Sequence, residues 1–375
     1  MNDNSSKNNV YNFFRITNIS LKNFHCFETF DIELNKKNRT IHYCNNDYTV
    51  APLTVIVAKN GMGKSTILDA IKIAFAPFIT YFGYKNKIKE NDIHIKNNLL
   101  SNFVSIDTIG ELGEKLYQWR CSIPKQKKEL FTDIQNSKPI LSHPFDIFTQ
   151  SIKNIEQDSN PNNWPLIACY NTNRLWKKNN FSSKRNLVKN RELGYDSCLE
   201  ATTNYTTAID WMFDAVMARI NEETILIKKN ETLRTQLETI ENALTKILEP
   251  ENYIANLHIA SNFKELAIIQ IQEHGKVSIP ISSLSDKVRE VFFMVADIAF
   301  RCVKLNSHLG KLATQETEGI IMIDEIELHL HPSWQQNILD ALQAIFPKIQ
   351  FIVTTNSSLV TSSITSECVR TIENT

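Results

Sequence analysis

Ala58-Lys59-Asn60-Gly61-Met62-Gly63-Lys64-Ser65-Thr66 lies between an apolar run, Leu53 to Val57, and a stretch of helical periodicity from Ile67 to Phe75. Strand, glycine loop and helix in that order form a phosphate-binding loop in its proper setting. The N–H groups of such a loop point into a concavity at a helix N-terminus, where unsatisfied donors and the helix dipole favour a triphosphate. The pattern places Lys59, Asn60, Gly61, Met62, Gly63 and Thr66 around the phosphates. The Lys64 ammonium reaches the β- and γ-phosphates, and the Ser65 hydroxyl is a ligand for Mg²⁺. Ala58 stands where the first glycine of such loops usually stands.

A second block fits the first. Gly319-Ile320-Ile321-Met322-Ile323-Asp324-Glu325 reads as a buried apolar strand ending in two carboxylates. Asp324 then occupies the position that holds Mg²⁺ in phosphate-loop enzymes, and Glu325 the position of a general base that polarises an attacking water. A carboxylate pair after a β-run is also an ordinary strand end; the loop at 58–66 weighs against that reading.

The chain has 375 residues, 42% of them hydrophobic, enough for one large domain or two with a packed core. No apolar run approaches a membrane span and the polar N-terminus lacks a signal-peptide core, so the expected compartment is the cytoplasm and no membrane contact is expected. The seven cysteines are scattered without a Cys-x-x-Cys spacing, which suits reduced thiols rather than a disulfide framework or zinc ribbon. Lys plus Arg equals Asp plus Glu, so any nucleic-acid contact must be local. The run from Arg174 to Arg191, with Trp176 and Phe181 interleaved, is the local candidate. A solvated basic loop is the competing reading.

Alternation over Phe14 to Ile32 predicts half-buried strands, followed by a polar connection from Asn35 to Asp47. Val104 to Ile106 and Tyr117 to Ile123 predict further strands, forming with the N-terminal pair an antiparallel layer beside the phosphate-loop sheet. Leu166 to Tyr170 reads as a buried strand. From Thr206 to Leu248 apolar residues recur at three- and four-residue spacing until Pro250, predicting a helical pair that either folds on itself or pairs with another chain. Two strands, Ile254 to Ile259 and Leu266 to Ile271, follow, with Glu273-His274-Gly275-Lys276 as a hairpin turn. Ser282 to Asp286 caps a helix over Lys287 to Val303, and the last elements the sequence places are a strand from Ile349 to Val353 and the loop Thr354-Thr355-Asn356-Ser357-Ser358.

The order of these pieces resembles the ATP-binding-cassette ATPases of the SMC, RecF and OLD group. Leu21-Lys22-Asn23-Phe24 with Phe27-Glu28 is similar to their entry strand, and Leu53 to Ile71 to their Walker A segment. Ile321 to Pro332 resembles the Walker B strand and D-loop of the OLD and RecF branch, and Phe351 to Ser358 the switch loop. Within that group the chain most resembles the PtuA-like ATPases of Septu-type antiphage defence, some of which accompany retrons; the tract Leu166 to Trp176 carries part of this likeness. The resemblance implies an α/β fold, an ABC-ATPase head whose core sheet is flanked by an antiparallel β layer, with a helical insertion. It divides the chain into a disordered tip at 1–13, an N-terminal lobe at 14–200, the helical insertion at 201–250 and a C-terminal lobe at 251–375. It also implies that no Toprim nuclease follows the switch loop.

The same resemblance implies ATP and Mg²⁺ as cofactors, ATP hydrolysis as the activity, and two heads that face each other in a homodimer or higher even-numbered oligomer. In Leu284-Ser285-Asp286-Lys287-Val288-Arg289, similar to the family's signature motif, Ser285 would contact the γ-phosphate held by the opposing subunit. The implied partners are an HNH-type nuclease and, in retrons, a reverse transcriptase with its RNA–DNA product or other nucleic acid. Departures from the family pattern are Ala58, Lys287 in place of the signature glycine, and Asn356 in place of a histidine. Asparagine donates a hydrogen bond to a γ-phosphate but carries no charge, so slow turnover is expected. A RecF-like repair ATPase that binds DNA itself and a nucleotide-locked scaffold are the alternatives. His329 and His331 share a face near Glu327 and suggest a metal site, for which the D-loop offers the competing account.

Overall fold

The computed structural model describes residues 14–81, 103–112, 115–124, 131–133, 163–173, 191–200, 205–225, 230–261 and 265–373. The N-terminal tip, the basic run from 174 to 190 and the segment 134–162 lie outside these residues.

Two five-stranded sheets enclose one helix. β1 (Phe14–Phe24) pairs with β2 (Phe27–Glu33) and with β6 (Phe103–Leu112), and β6 with β7 (Lys115–Pro124) and β8 (Phe131–Asp133) beyond it, all antiparallel. The other sheet is parallel and is ordered β15 (Val369–Thr371), β5 (Leu53–Val57), β14 (Ile349–Thr355), β13 (Gly319–Ile323), β9 (Leu166–Tyr170). Helix α1 (Lys64–Tyr81) lies between the sheets, which explains why its sequence is apolar all round instead of on one stripe. Its backbone meets the antiparallel layer directly: Trp119 Nε1 donates to Ala74 O at 3.1 Å, and the Trp119 and Phe75 rings meet edge to face at 5.7 Å. A bulge interrupts the β1–β6 register between Ile16 and Asn18, and the Ile16 amide and carbonyl bond to β14. The buried Gln350 carboxamide of β14 satisfies both, at 2.9 and 2.8 Å, and so joins one sheet to the other.

The expected polar connection at 35–47 is corrected by the structure, which forms a hairpin there from β3 (Arg39–Tyr43) and β4 (Asn46–Val50). Cys44 and Asn45 both have positive φ, 48° and 62°, as a two-residue turn matching strand twist requires. The buried side chains of Ile41 and Val50 then pack on Ala344.

Helices α2 (Thr206–Ile225) and α3 (Glu231–Leu248) pack on each other and on the core, as the intramolecular alternative expects. Asn230 caps α3 by accepting from Leu233 N, and Leu237, Ile240, Leu244 and Ile247 form its buried stripe. A three-stranded antiparallel sheet follows, β10 (Tyr253–Ile259), β11 (Leu266–Gln272) and β12 (Gly275–Pro280), its second turn reduced to Glu273-His274. Helix α4 (Asp286–Leu305) begins one residue earlier than expected, and Ser285 is its N-cap residue yet makes no capping bond with its side chain. A short α5 (Ala313–Glu316) leads into β13, and α6 (Pro332–Ile345) and α7 (Ser358–Ser362) complete the chain. Among the described residues no helix is long and apolar enough to cross a membrane.

A buried charge cluster fixes α4 against β9. Asp297 Oδ2 accepts from Tyr170 OH at 2.7 Å and from Arg301 Nε at 2.8 Å, while Arg301 Nη1 donates to Gly194 O and Asp196 O at 2.9 Å each. Burial pushes the Tyr170 phenol well above its ordinary pKa, so it serves as a donor at all accessible pH. Arg301→Met would remove the partner of buried Asp297, and we expect a stability loss of about 3–5 kcal/mol, read from the urea midpoint.

Candidate nucleotide site

The carboxyl ends of three parallel strands bring the site together, as expected for ligand binding in open α/β sheets. β14 lies between β5 and β13, with Thr355 opposite Val57 and Val353 opposite Ile323. The phosphate loop leaves β5, Asp324 and Glu325 follow β13, and Asn356 follows β14. This register places residues far apart in sequence side by side.

Gly61 and Gly63 take positive φ, 82° and 89°, which turns the loop and starts α1 at Lys64. Ala58 is buried and has no left-handed φ, so the missing first glycine occurs where the backbone needs none. The Lys64 ammonium, 6% exposed, donates to Ala58 O at 2.7 Å, Lys59 O at 3.4 Å and Asn356 Oδ1 at 2.7 Å. Ser65 Oγ donates to Asp324 Oδ2 at 2.8 Å, and the other oxygen of that buried carboxylate accepts from Thr354 Oγ1 at 2.6 Å. Thr354 Oγ1 in turn accepts from Glu325 N at 2.8 Å. Glu325 itself has φ of 47°, a left-handed conformation rare outside glycine, and its Oε1 accepts from Asn356 Nδ2 at 3.4 Å.

Lys64, Ser65, Asp324, Glu325 and Asn356 therefore form one hydrogen-bonded group. Lys59, Asn60, Met62 and Thr66 lie in the loop or the first turn of α1, and a cleft of about 470 Å³ is lined by Asn60, Gly61, Gly63 to Thr66 and Glu325 together with His25 and Cys26. Those last two sit in the tight β1–β2 turn, where Asn23 and His25 have positive φ, and sequence reasoning did not single them out. Thr354 was missed as well. Glu327 accepts from Thr355 Oγ1 at 2.7 Å and from Asn356 N at 2.6 Å, so it secures the switch loop instead of facing a metal with His329 and His331. His331 caps α6 through Ser333. Ser65 Oγ and Asp324 Oδ2, 2.8 Å apart, are hard oxygen donors of the kind Mg²⁺ takes.

Ser285 does not join this group within the chain. Its hydroxyl is exposed at the start of α4, and the Lys287 ammonium is drawn to Glu251 Oε2 at 3.7 Å while Glu251 Oε1 accepts from Trp334 Nε1 at 2.6 Å. Arg191, the end of the expected basic run, is corrected from a surface cation to a largely buried one. It donates to Leu305 O at 2.6 Å and lies 4.3 Å over the Trp164 ring.

A family model described as "AAA domain, putative AbiEii toxin, Type IV TA system" matches residues 53–362, from the strand before the phosphate loop to the helix after the switch loop. The chain belongs to this family. It is an ABC-type ATPase, as the entry strand, phosphate loop and carboxylate strand together indicated. Among curated proteins it is similar to the Retron Vc95 probable ATPase of Vibrio cholerae serotype O1 biovar El Tor, 27% identical over 96% of this chain and 73% of that one. The Septu protein PtuA of Bacillus thuringiensis is 48% identical over 48 residues, 13% of this chain and 12% of that one. Among solved structures, the SmcHead bound to the C-winged helix domain of ScpA superposes with a TM-score of 0.49 at 13% identity, covering 93% of this chain and 91% of that one.

Proposed function

We propose that this ATPase binds and slowly hydrolyses ATP as a subunit of an antiphage defence complex, pairs head to head with a second copy and controls a partner nuclease. The observation that carries the reading is the convergence of Lys64, Ser65, Asp324, Glu325 and Asn356 at the ends of β5, β13 and β14. Lys64 would hold the β- and γ-phosphates, with the amides of the loop around them. Ser65 and Asp324 would hold Mg²⁺, which supplies neutralisation of phosphate charge. Glu325 would take a proton from the attacking water, its backbone fixed by Thr354. Asn356 would stand beside the γ-phosphate, uncharged, which supports slow turnover.

The exposed Ser285 hydroxyl, with no bond to its own helix, supports a role toward a nucleotide held by a second head. The Lys287 ammonium pairs with Glu251 of its own chain at 3.7 Å. The defence setting, the HNH-type nuclease and the reverse transcriptase with its RNA–DNA product rest on likeness to retron and Septu proteins.

Native mass spectrometry of the wild type and of Lys64→Ala, with Mg-ATP and with the products of neighbouring genes, tests the proposal. We expect the wild type to form an even-numbered, ATP-loaded assembly that takes up a nuclease, and Lys64→Ala to lose nucleotide and assembly together. A wild type that stays monomeric and nucleotide-free would overturn it. Salt-sensitive binding of duplex DNA by the isolated protein would instead favour the repair reading.

A further inference from the structure

Glu325, at φ of 47°, keeps a backbone conformation that a side chain disfavours, and such a residue stays there only where its surroundings fix it. The segment 325–327 runs beside 354–356 and is bonded to it at every residue. Glu325 N donates to Thr354 Oγ1 at 2.8 Å and Ile326 N to Thr354 O at 3.0 Å. At Glu327 the direction reverses: Oε2 accepts from Thr355 Oγ1 at 2.7 Å and Oε1 from Asn356 N at 2.6 Å. Thr355 is buried and its Oγ1 also accepts from Ser357 N at 3.0 Å, so the clamped side is itself held in place. On the other side, Leu328 N donates to Glu325 O and Leu330 N to Glu327 O, at 2.9 Å each, closing the turns after β13 without any side chain.

We propose, on the reading of Glu325 as the general base, that Glu327 is a positioning residue for ATP hydrolysis: its carboxylate clamps the turn that carries Glu325 to the end of β14. One ionised group satisfies two donors of the facing segment, and hydrogen bonds to a charged group are stronger than neutral ones. Without the clamp the turn is tied to β14 only through Thr354, and the backbone of Glu325 can relax toward ordinary φ. Its carboxylate then leaves the place from which it reaches the attacking water, a displacement to which rate is far more sensitive than binding. Glu327 bonds to none of Lys64, Ser65 and Asp324, so nucleotide affinity is expected to hold.

Steady-state ATP hydrolysis and calorimetric binding of a non-hydrolysable ATP analogue, both with Mg²⁺, test this on the wild type, Glu327→Ala, Glu327→Gln, Glu325→Gln and the double variant Glu325→Gln with Glu327→Ala. Glu327→Ala should lower kcat by about 10–100-fold, with KM and analogue affinity within about threefold of the wild type. Glu327→Gln should recover most of that rate, since its carbonyl accepts from Asn356 N and its amide can donate to Thr355 Oγ1. In the double variant Glu327→Ala should cost nothing beyond Glu325→Gln alone, because the clamp acts only through the base. Wild-type kcat in Glu327→Ala, losses that multiply in the double variant, or analogue affinity that falls in step with kcat would each overturn the inference while the ATP site stands. A wild type that hydrolyses no ATP overturns both.

Discussion

Replacing Glu325 with glutamine is expected to lower the rate of ATP hydrolysis by about 10²–10⁴-fold, the range that a positioned general base contributes, while nucleotide affinity changes little. The substitution keeps the shape of the side chain and leaves the backbone anchor from Thr354 Oγ1 to Glu325 N in place. Lys64, Ser65 and Asp324 keep their partners, so the proposed phosphate and Mg²⁺ ligands are unaltered. What would be lost is the carboxylate proposed to accept the proton of water. A glutamine can orient a water but cannot deprotonate it, and its amide meets Asn356 Nδ2 with either an acceptor or a second donor. Single-turnover phosphate release, measured beside equilibrium nucleotide binding, separates the two effects. Turnover equal to that of the wild type would remove Glu325 from the mechanism, and a parallel loss of binding would make it a ligand instead of a base.

The parts of this site legible in the sequence are those whose signal is local. The phosphate loop and the Ile320 to Glu325 strand end are contiguous patterns whose chemistry depends on neighbours in the chain. Thr354, His25 and Cys26 were illegible for the opposite reason. Thr354 meets Asp324 because β13 and β14 run parallel with Ile323 opposite Val353, a register no single strand encodes. His25 and Cys26 reach the cleft because β1 and β2 turn over the start of α1. Arg191 shows a different limit: a charge run read from sequence carries no information about burial, and this arginine ends under Trp164 with its pKa lowered to about 10 by desolvation. The β3–β4 hairpin escaped because its turn, Cys44-Asn45, lacks the glycine that usually marks two positive φ angles in succession.

Gly63→Ala is expected to abolish measurable nucleotide binding and to cost about 2–4 kcal/mol of stability, against about 1–2 kcal/mol for Gly61→Ala. Both glycines lie in the left-handed region, at φ of 89° and 82°, so a side chain strains either backbone similarly. They differ in their surroundings. A Cβ at Gly61 meets nothing within 4 Å, whereas at Gly63 it meets Phe27 Cζ at 2.5 Å, Cys26 Sγ at 2.7 Å and Phe27 Cε2 at 2.8 Å. Phe27 cannot simply withdraw, because its ring stacks on Phe30 at 4.3 Å and belongs to the strand that follows the β1–β2 turn. Relief must move that turn, which lines the cleft, or the loop, whose amides and Lys64 are the proposed nucleotide ligands. Thermal unfolding and nucleotide titration of Gly61→Ala, Gly63→Ala and the double variant Gly63→Ala with Phe27→Leu separate the causes. Partial rescue by the smaller Phe27→Leu side chain would assign the loss to the aromatic contact. Equal damage from Gly61→Ala and Gly63→Ala would assign it to backbone conformation alone and remove the β1–β2 turn from the architecture of the site.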